Sequence, residues 1–294
     1  MLPLAQDRVL PRLIVTPEAN YFLGLPAWAF PGWSGEYFPA SGSALSHYAR
    51  VFNTVEGNPT FYRVPDADSV ARWLDAVAGT DFRFSFKLPR SVTHDRRPAW
   101  GDLQQFLSAI ESLGDHLGPF LVQCPATLGP DALPELDALL GRLPGDYRYV
   151  LEVRHPDFFS RPALLEPLLE RSGAGRVMFD SRPIYREDTR HPEVLAARHK
   201  KPDVPLLDTV YNGLVYARVV LHPERRHNGR YVEEWLQRCK PYLASGHTVF
   251  FMVHCPNNQH CPELACHFHQ SLCETVPTLG PLPPWPVPRQ AALF

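Results

Sequence analysis

Charged side chains alternate with apolar ones toward the ends of several β-type segments. In FNTVEGN (52–58), Glu56 and Asn58 are two residues apart, so on a strand they share one face. Lys87 has a similar place in FRFSFKL (82–88), on the face opposite three phenylalanines. Carboxylates and amines in such positions could transfer protons to and from a bound molecule.

The segment YRYVLEVRH (147–155) repeats the pattern with Glu152 and Arg154, and an arginine could bind a carboxylate or phosphate through two hydrogen bonds. The residues predicted to act in catalysis are Glu56, Glu152, Asp180 and Lys87. The residues predicted to bind a ligand are Trp28, Asn58, Tyr62, His94, Gln123, Arg154, His155, Arg218, His222, Arg225 and Arg226. The alternative is a neutral ion-pair network that only fills the protein interior.

Eight β-type segments alternate with helix-type segments along the chain, which predicts one α/β domain, a parallel eight-stranded (β/α)8 barrel of the TIM type. A doubly wound sheet is the alternative. The barrel should span residues 20–280, with an N-terminal extension over 1–19 and a proline-rich tail over 281–294. The strand ends of a barrel meet at one rim. There we expect carboxylates and basic residues to face one another, namely Glu56, Glu152 and Asp180 against Lys87, Arg154 and Arg218.

Helix boundaries are also predicted. Asp66 and Asp131 are expected to be N-caps, and Gly173 is expected to end a helix.

Several longer motifs carry a resemblance to a known family: YARVFNTVEGNPTFYRVP, DFRFSFKLPRSVTH, FLVQCPATLGP, YVLEVRHPDFF and VMFDSRPIYRED. With these motifs the chain resembles the YecE-like family, domain of unknown function 72. One subgroup of that family is resembled further in KKPDVP and PNNQHCPELACHFHQSLCETVP. The resemblance implies a TIM barrel and implies no reaction. The wider family tends to end its last strand in paired asparagines, whereas here His254, Cys255 and Pro256 come before Asn257 and Asn258.

Two loop segments suggest what the ligand is. LHPERRHNGR (221–230) is basic and follows the seventh β-type segment, where barrels often bind phosphate, and SRPIYREDTR adds Arg182, Arg186 and Arg190. The alternative is a solvated basic loop. PAWAFPGWSGEYF (26–38) is aromatic and could stack on a sugar ring or base, with Tyr62 joining it, or it could simply pack.

Residues 254–273 are rich in cysteine and histidine, but their spacing is looser than that of zinc-ligand pairs. The sequence therefore predicts no metal site and no cofactor, and it holds no GxxxxGK, GxGxxG or GxSxG motif. A metal-dependent phosphodiesterase acting on nucleic acid stays open as an alternative, with ligands from among His94, His155, His222, His254, Glu56, Glu152 and Asp180. The basic residues expected inside the barrel count against it.

Composition sets the remaining expectations. The chain has 294 residues, a formal net charge of −2 and six cysteines without a CxxC pair, which fits a cytoplasmic protein with reduced thiols. It has no apolar run of transmembrane length and no signal-peptide pattern. The expected partner is a small anionic molecule, with nucleic acid disfavoured, no membrane association and the oligomeric state open. A binding protein without turnover is a further alternative.

Overall fold

The computed structural model describes residues 20–95, 97–187 and 189–286. The predicted N-terminal extension, residues 1–19, and residues 287–294 of the predicted tail lie outside the described residues. Within the described part of the tail, the Trp285 ring packs against Tyr37 at 5.0 Å and Phe38 at 5.7 Å.

Eight parallel strands build one sheet: β1 Tyr21–Leu25, β2 Thr54–Gly57, β3 Arg83–Phe86, β4 Phe120–Gln123, β5 Tyr149–Glu152, β6 Gly175–Asp180, β7 Leu214–Val220 and β8 Thr248–His254. Their order is β3-β2-β1-β8-β7-β6-β5-β4. The outer strands β3 and β4 meet through a bridge between Lys87 and Leu121 and a 3.1 Å hydrogen bond from the Leu88 amide to the Leu121 carbonyl. The sheet thus closes into a barrel. The (β/α)8 prediction is confirmed, and the doubly wound alternative is excluded.

Helices lie between the strands: α1 Ala44–Tyr48, α2 Pro59–Tyr62, α3 Ala67–Val77, α4 Arg90–Thr93, α5 Trp100–Ile110, α6 Leu133–Arg142, α7 Asp157–Ser160, α8 Glu166–Ser172, α9 Arg182–Tyr185, α10 Pro192–Arg198, α11 Gly229–Ala244 and α12 Cys261–Thr275. Short 3₁₀ turns cover Pro31–Trp33, Glu111–His116, Pro130–Ala132, Pro162–Leu164, Arg225–His227 and Pro277–Leu279. In the described part of the chain, none of these helices combines the length and apolar character needed to cross a bilayer.

Two of the three predicted helix boundaries are confirmed. The Asp66 carboxylate accepts a 2.7 Å hydrogen bond from the Ser69 amide at the start of α3, and Gly173 ends α8 with a φ of 68°. The prediction for Asp131 is wrong. It lies in the 3₁₀ turn before α6, and that helix begins without a side-chain cap.

Alternation along β3 decides which side chains enter the barrel. Phe82, Phe84 and Phe86 contact one another, with ring centroids 4.9 Å and 5.3 Å apart in sequence order. Trp73 of α3 packs on Phe84 and Phe86, so this face of the strand meets the helices, as predicted. Lys87 follows on the opposite, inner face.

An aromatic layer fills the barrel below its rim. Phe22 stacks on Phe250 at 4.5 Å, and Phe250 stacks on Tyr216 at 6.0 Å. The Tyr216 hydroxyl lies 2.7 Å from the Ser85 hydroxyl, which also donates to the Pro119 carbonyl. This packed layer leaves the C-terminal rim as the side from which a ligand would enter.

Candidate functional site

Arg218 lies inside the C-terminal end of the barrel, here called the barrel mouth. It bridges two carboxylates, one on β2 and one on β5. Its Nε and Nη2 atoms donate to the two oxygens of Glu56 at 2.6 Å and 2.7 Å, and Nη1 donates to Glu152. All three side chains are at most 5% exposed. The strands β2, β5 and β7 are thereby joined across the interior.

Arg154 extends this network toward the surface. Its Nε donates to Glu152 at 2.7 Å, and its Nη2 donates to the side-chain carbonyl of Gln123 at 3.0 Å. Gln123 is buried, whereas the Arg154 side chain is 18% exposed, so the network reaches solvent through Arg154.

The two glutamates are ionised. Burial raises the pKa of Glu152, but Arg218 and Arg154 outweigh that effect and bring the pKa down to about 2. Burial likewise opposes ionisation of Glu56, yet the charge of Arg218 holds its pKa well below the usual range. Carboxylates this acidic, with their oxygens already accepting arginine hydrogen bonds, are poorly suited to proton transfer near neutral pH.

His254, at the end of β8, faces the same cluster. Its Nε2 lies 3.4 Å from an oxygen of Glu56 but makes no hydrogen bond among the described residues. Burial lowers the pKa of His254 to about 4, with Glu56 opposing this effect and Arg218 adding to it. The imidazole is therefore neutral at physiological pH.

Lys87 contributes a buried amine that no carboxylate binds. The residue is 7% exposed, and its Nζ lies 3.6 Å from the centre of the Phe61 ring. Within residues 20–95, 97–187 and 189–286, no hydrogen bond or ion pair engages this amine. Burial lowers the pKa of Lys87 to about 8, and Arg218 lowers it further, while Glu152 and Glu56 oppose the shift.

Lys201 is a second amine of the mouth, and it comes from the segment after α10. Its backbone is anchored by the Tyr185 hydroxyl, which donates to the Lys201 carbonyl at 2.6 Å. Burial lowers the pKa of Lys201 to about 8, Arg218 and Arg154 lower it further, and Glu56 and Glu152 raise it. By its exposed surface Lys201 is only half-buried, and the charges that shift its pKa are those of the cluster, which is the reason for counting its amine with the cluster. The sequence analysis missed this residue, although KKPDVP, one of the family-like segments, contains it.

The mouth therefore carries more positive than negative charge. Its basic side chains are Arg154, Arg218, Lys87 and Lys201, and its carboxylates are Glu56 and Glu152. The arginines already occupy the carboxylates, so both lysine amines are left without an anion in the described part of the chain.

Aromatic residues border Lys87 on the outer side. The His94 and Phe61 rings pack edge to face with their centroids 5.0 Å apart, and Phe61 in turn contacts Lys87. Burial lowers the pKa of His94 to about 4, and the charges of Lys87 and Arg90 lower it further. Tyr62, next to Phe61, is 80% exposed and offers an aromatic surface at the rim.

Asp180 does not face this opening, which corrects the expectation from the sequence. In the register of β6 and β7, Phe179 pairs with Arg218, so Phe179 shares the inner face with Arg218 and Asp180 points to the helices. There its carboxylate accepts from both Nε and Nη2 of Arg182 at 2.9 Å and from the Trp235 indole at 2.8 Å.

The basic residues after β6 and β7 are largely paired with acids. Arg182 also binds Glu234 at 2.7 Å. Arg186 binds Asp203 at 2.8 Å, and Arg226 binds Glu224 at 2.6 Å. Arg225 and Arg226 are exposed on the 3₁₀ turn after β7. The structure therefore does not bring these two residues into the buried cluster.

One set of three residues in the described chain could hold a metal ion: His222, Glu224 and His227, whose donor atoms lie within 4.8 Å of one another. Several of these atoms already have other partners. His222 Nδ1 accepts a 3.0 Å hydrogen bond from the Glu224 amide, and its Nε2 lies 3.1 Å from the Thr189 hydroxyl. Glu224 is bound to Arg226. The predicted Cys/His segment instead holds a close pair of thiols, with the Cys255 and Cys261 sulfurs 3.3 Å apart.

Three further predicted ligand residues take structural positions. The Asn58 amide donates to the Pro26 carbonyl at 2.9 Å and ties the loops after β1 and β2 together. Trp28 packs against Trp73 of α3 at 5.5 Å, which agrees with the packing alternative. His155 Nδ1 accepts a 3.3 Å hydrogen bond from the Asp157 amide at the start of α7.

Fold and site together define a TIM-barrel protein whose mouth is filled by charged side chains. The chain belongs to the family described as protein of unknown function DUF72, whose model matches residues 22–290. It is 34% identical over 283 residues to UPF0759 protein YecE of Escherichia coli strain K12, covering 93% of this chain and 99% of that protein. UPF0759 protein YecE of E. coli O157:H7 matches to the same extent. The family resemblance carried by the sequence motifs is thus confirmed.

Solved structures of DUF72 family proteins share the fold. One from Thermotoga maritima is 22% identical, with a TM-score of 0.62 over 86% of this chain and 98% of that chain. Another, from Enterococcus faecalis, is 20% identical, with a TM-score of 0.60 over 86% of this chain and 95% of that chain.

Proposed function

We propose that the barrel mouth binds a small anionic, sugar-like ligand, and that Lys87, Lys201 and Arg154 hold its charged group. One observation carries this proposal: the buried Lys87 amine has no anionic partner among the described residues, beside a cluster whose carboxylates are already bound by arginines. The charges of the same cluster also act on the Lys201 amine. The cluster thus lacks the anion that would balance it.

The energetics favour such a ligand. An ammonium group removed from water without a partner is destabilised, and this is the physical reason why both lysine pKa values fall to about 8. A phosphate or carboxylate between the two amines would restore the lost interaction and raise both pKa values. Binding should therefore be strongest where the lysines are protonated.

We further propose that the protein is an enzyme and that its acid–base chemistry uses the lysines. An effective acid or base has a pKa near the working pH, and a lysine with a pKa of about 8 meets this condition better than a glutamate with a pKa of about 2. In this scheme Glu56 and Glu152 position Arg218 and Arg154. A metal-dependent phosphodiesterase would need those carboxylates as ligands, but both are engaged by arginine.

Calorimetry with inorganic phosphate, sulfate and phosphorylated sugars would test the binding proposal. Lys201→Gln should lose most of the affinity, whereas Lys200→Gln should retain it, because Lys200 is exposed and directly adjacent in sequence. For a competent ligand at a hundred times its Kd, the wild type should gain about 2.7 kcal/mol of stability. Equal affinity in the two variants would contradict the proposal.

A further inference from the structure

The position of Lys87 suits a role other than ion pairing. It is fixed immediately after β3, its Nζ lies against the face of Phe61, and the neighbouring carboxylate oxygens are taken by Arg218 and Arg154. Among the described residues, no acceptor competes for the nitrogen. Once it loses its proton, such an amine has a lone pair that no described residue binds and that is able to react with a carbonyl carbon.

We propose that Lys87 is a nucleophile that forms an imine with an anionic aldehyde or ketone bound in the barrel mouth. This inference rests on the proposed anion-binding function, and it specifies the substrate class as a carbonyl compound that carries a phosphate or carboxylate. For a ligand of this class, Lys201 and Arg154 hold the anionic group and Lys87 reacts with the carbonyl carbon, whereas an anion without a carbonyl group, such as inorganic phosphate, is held by all three side chains.

The step is balanced without an oxidant or a metal. The neutral amine adds to the carbonyl carbon, the C=O π electrons move to oxygen, and the oxygen gains a proton as the nitrogen loses one. The resulting neutral carbinolamine takes up one proton from water at the mouth, expels its hydroxyl group as water and leaves a protonated imine. Protons exchange with water at the mouth, which reaches solvent beside the 18%-exposed Arg154 side chain. The imine then accepts electrons when a bond at the adjacent carbon is broken.

The surroundings of Lys87 keep its amine neutral in a substantial fraction of molecules at physiological pH. Before a ligand binds, with a pKa of about 8, Lys87 would be unprotonated in about a quarter of molecules at pH 7.5. An ordinary lysine in water, with a pKa of about 10.4, would be unprotonated in about one molecule in a thousand. The advantage in reactive amine is on the order of a hundredfold.

Borohydride trapping tests the inference directly. The protein would be incubated with dihydroxyacetone phosphate, glyceraldehyde 3-phosphate or pyruvate, reduced with sodium borohydride, and examined by intact mass and peptide mapping. We expect a reduced adduct at Lys87 in large excess over the exposed Lys240, on the order of the hundredfold difference in neutral amine. Excess inorganic phosphate should suppress the adduct at Lys87 and leave that at Lys240 unchanged.

Two variants separate this inference from the binding proposal. Lys87→Arg keeps the positive charge but lacks the primary amine, so it should give no adduct in the mouth. Lys240→Arg should behave as wild type. If phosphate binds the wild type and none of the probes is trapped at Lys87, the imine is ruled out and the binding proposal survives. If Lys87 and Lys240 are modified equally, the reaction is nonspecific and the imine is again ruled out. If phosphate does not bind and no adduct forms, both ideas fail.

Discussion

Replacing Lys87 by methionine should stabilise the folded protein while removing its ligand affinity. Methionine retains an apolar side chain of similar length against Phe61, and it removes an ammonium group that has no anionic partner among the described residues. A stability gain from deleting a polar residue is a common result where that residue serves function at the expense of folding.

The magnitude follows from the pKa of Lys87, which falls from 10.5 to about 8 on folding. A lysine whose pKa is lowered by folding binds its proton more weakly in the folded state. It therefore destabilises the fold below pH 8, and the penalty disappears as the pH rises toward 10.5. At 1.36 kcal/mol per pKa unit the penalty is about 3 kcal/mol at pH 7 and about 1.5 kcal/mol at pH 9.5.

Urea unfolding of wild type and Lys87→Met at these two pH values measures the effect. Both proteins contain the other titrating groups, among them the buried thiols. The contributions of these groups to the pH dependence of the unfolding free energy therefore cancel in the comparison. The stability advantage of Lys87→Met should shrink by about 1.5 kcal/mol between pH 7 and pH 9.5. Lys240→Met, at an exposed position, should show no comparable change. A constant difference across the pH range would refute the view of Lys87 as an unbalanced buried cation.

Three further outcomes are expected. Glu152→Gln should lower the free energy of unfolding by about 3 kcal/mol at pH 7, because Arg218 and Arg154 lose a buried anionic partner. The difference in stability from wild type should vanish as acid protonates Glu152 between about pH 5 and pH 2. Asp180→Asn should cost about 1–3 kcal/mol in urea unfolding and leave the calorimetric Kd for phosphate unchanged, because its partners lie in the helix layer. Phosphate binding at pH 8 should take up protons, seen as a buffer-dependent enthalpy that is absent at pH 6, because the bound anion raises the pKa of Lys87 and Lys201.

The strand residues of the cluster were predictable because side-chain alternation is a local property. Two-residue spacing placed Lys87 opposite the phenylalanines of β3, and the structure agrees. Asp180 was predicted only from its place at the end of β6, and the last residue of a strand need not lie on its inner face. The register of β6 against β7 settles that point, and register depends on residues distant in sequence.

Lys201 could not be located from sequence patterns. It lies between α10 and β7 in a segment without helix or strand periodicity, so nothing local fixes its direction. Its path is set by long-range contacts, such as the Tyr185 hydroxyl that binds the backbone carbonyls of Arg198 and Lys201. Anion binding was predicted for the basic loops instead, because their positive charge is visible in the sequence. The acidic residues that pair with these arginines are far away in sequence or cannot be assigned as partners without the fold.

The balance of charge in the mouth favours a ligand site over a structural plug, by which we mean an ion-pair network that only fills the protein interior. A plug requires only that its own charges be paired, and an apolar filling of the same volume is often equally stable. Arg218 with Glu56 and Glu152 would meet that requirement by itself. Adding Lys87 and Lys201 brings in cations whose pKa values are lowered, which is a cost to the empty fold. Under the proposed function, the glutamate–arginine network is the rigid support of the site, and the two lysines are the groups that act on the ligand.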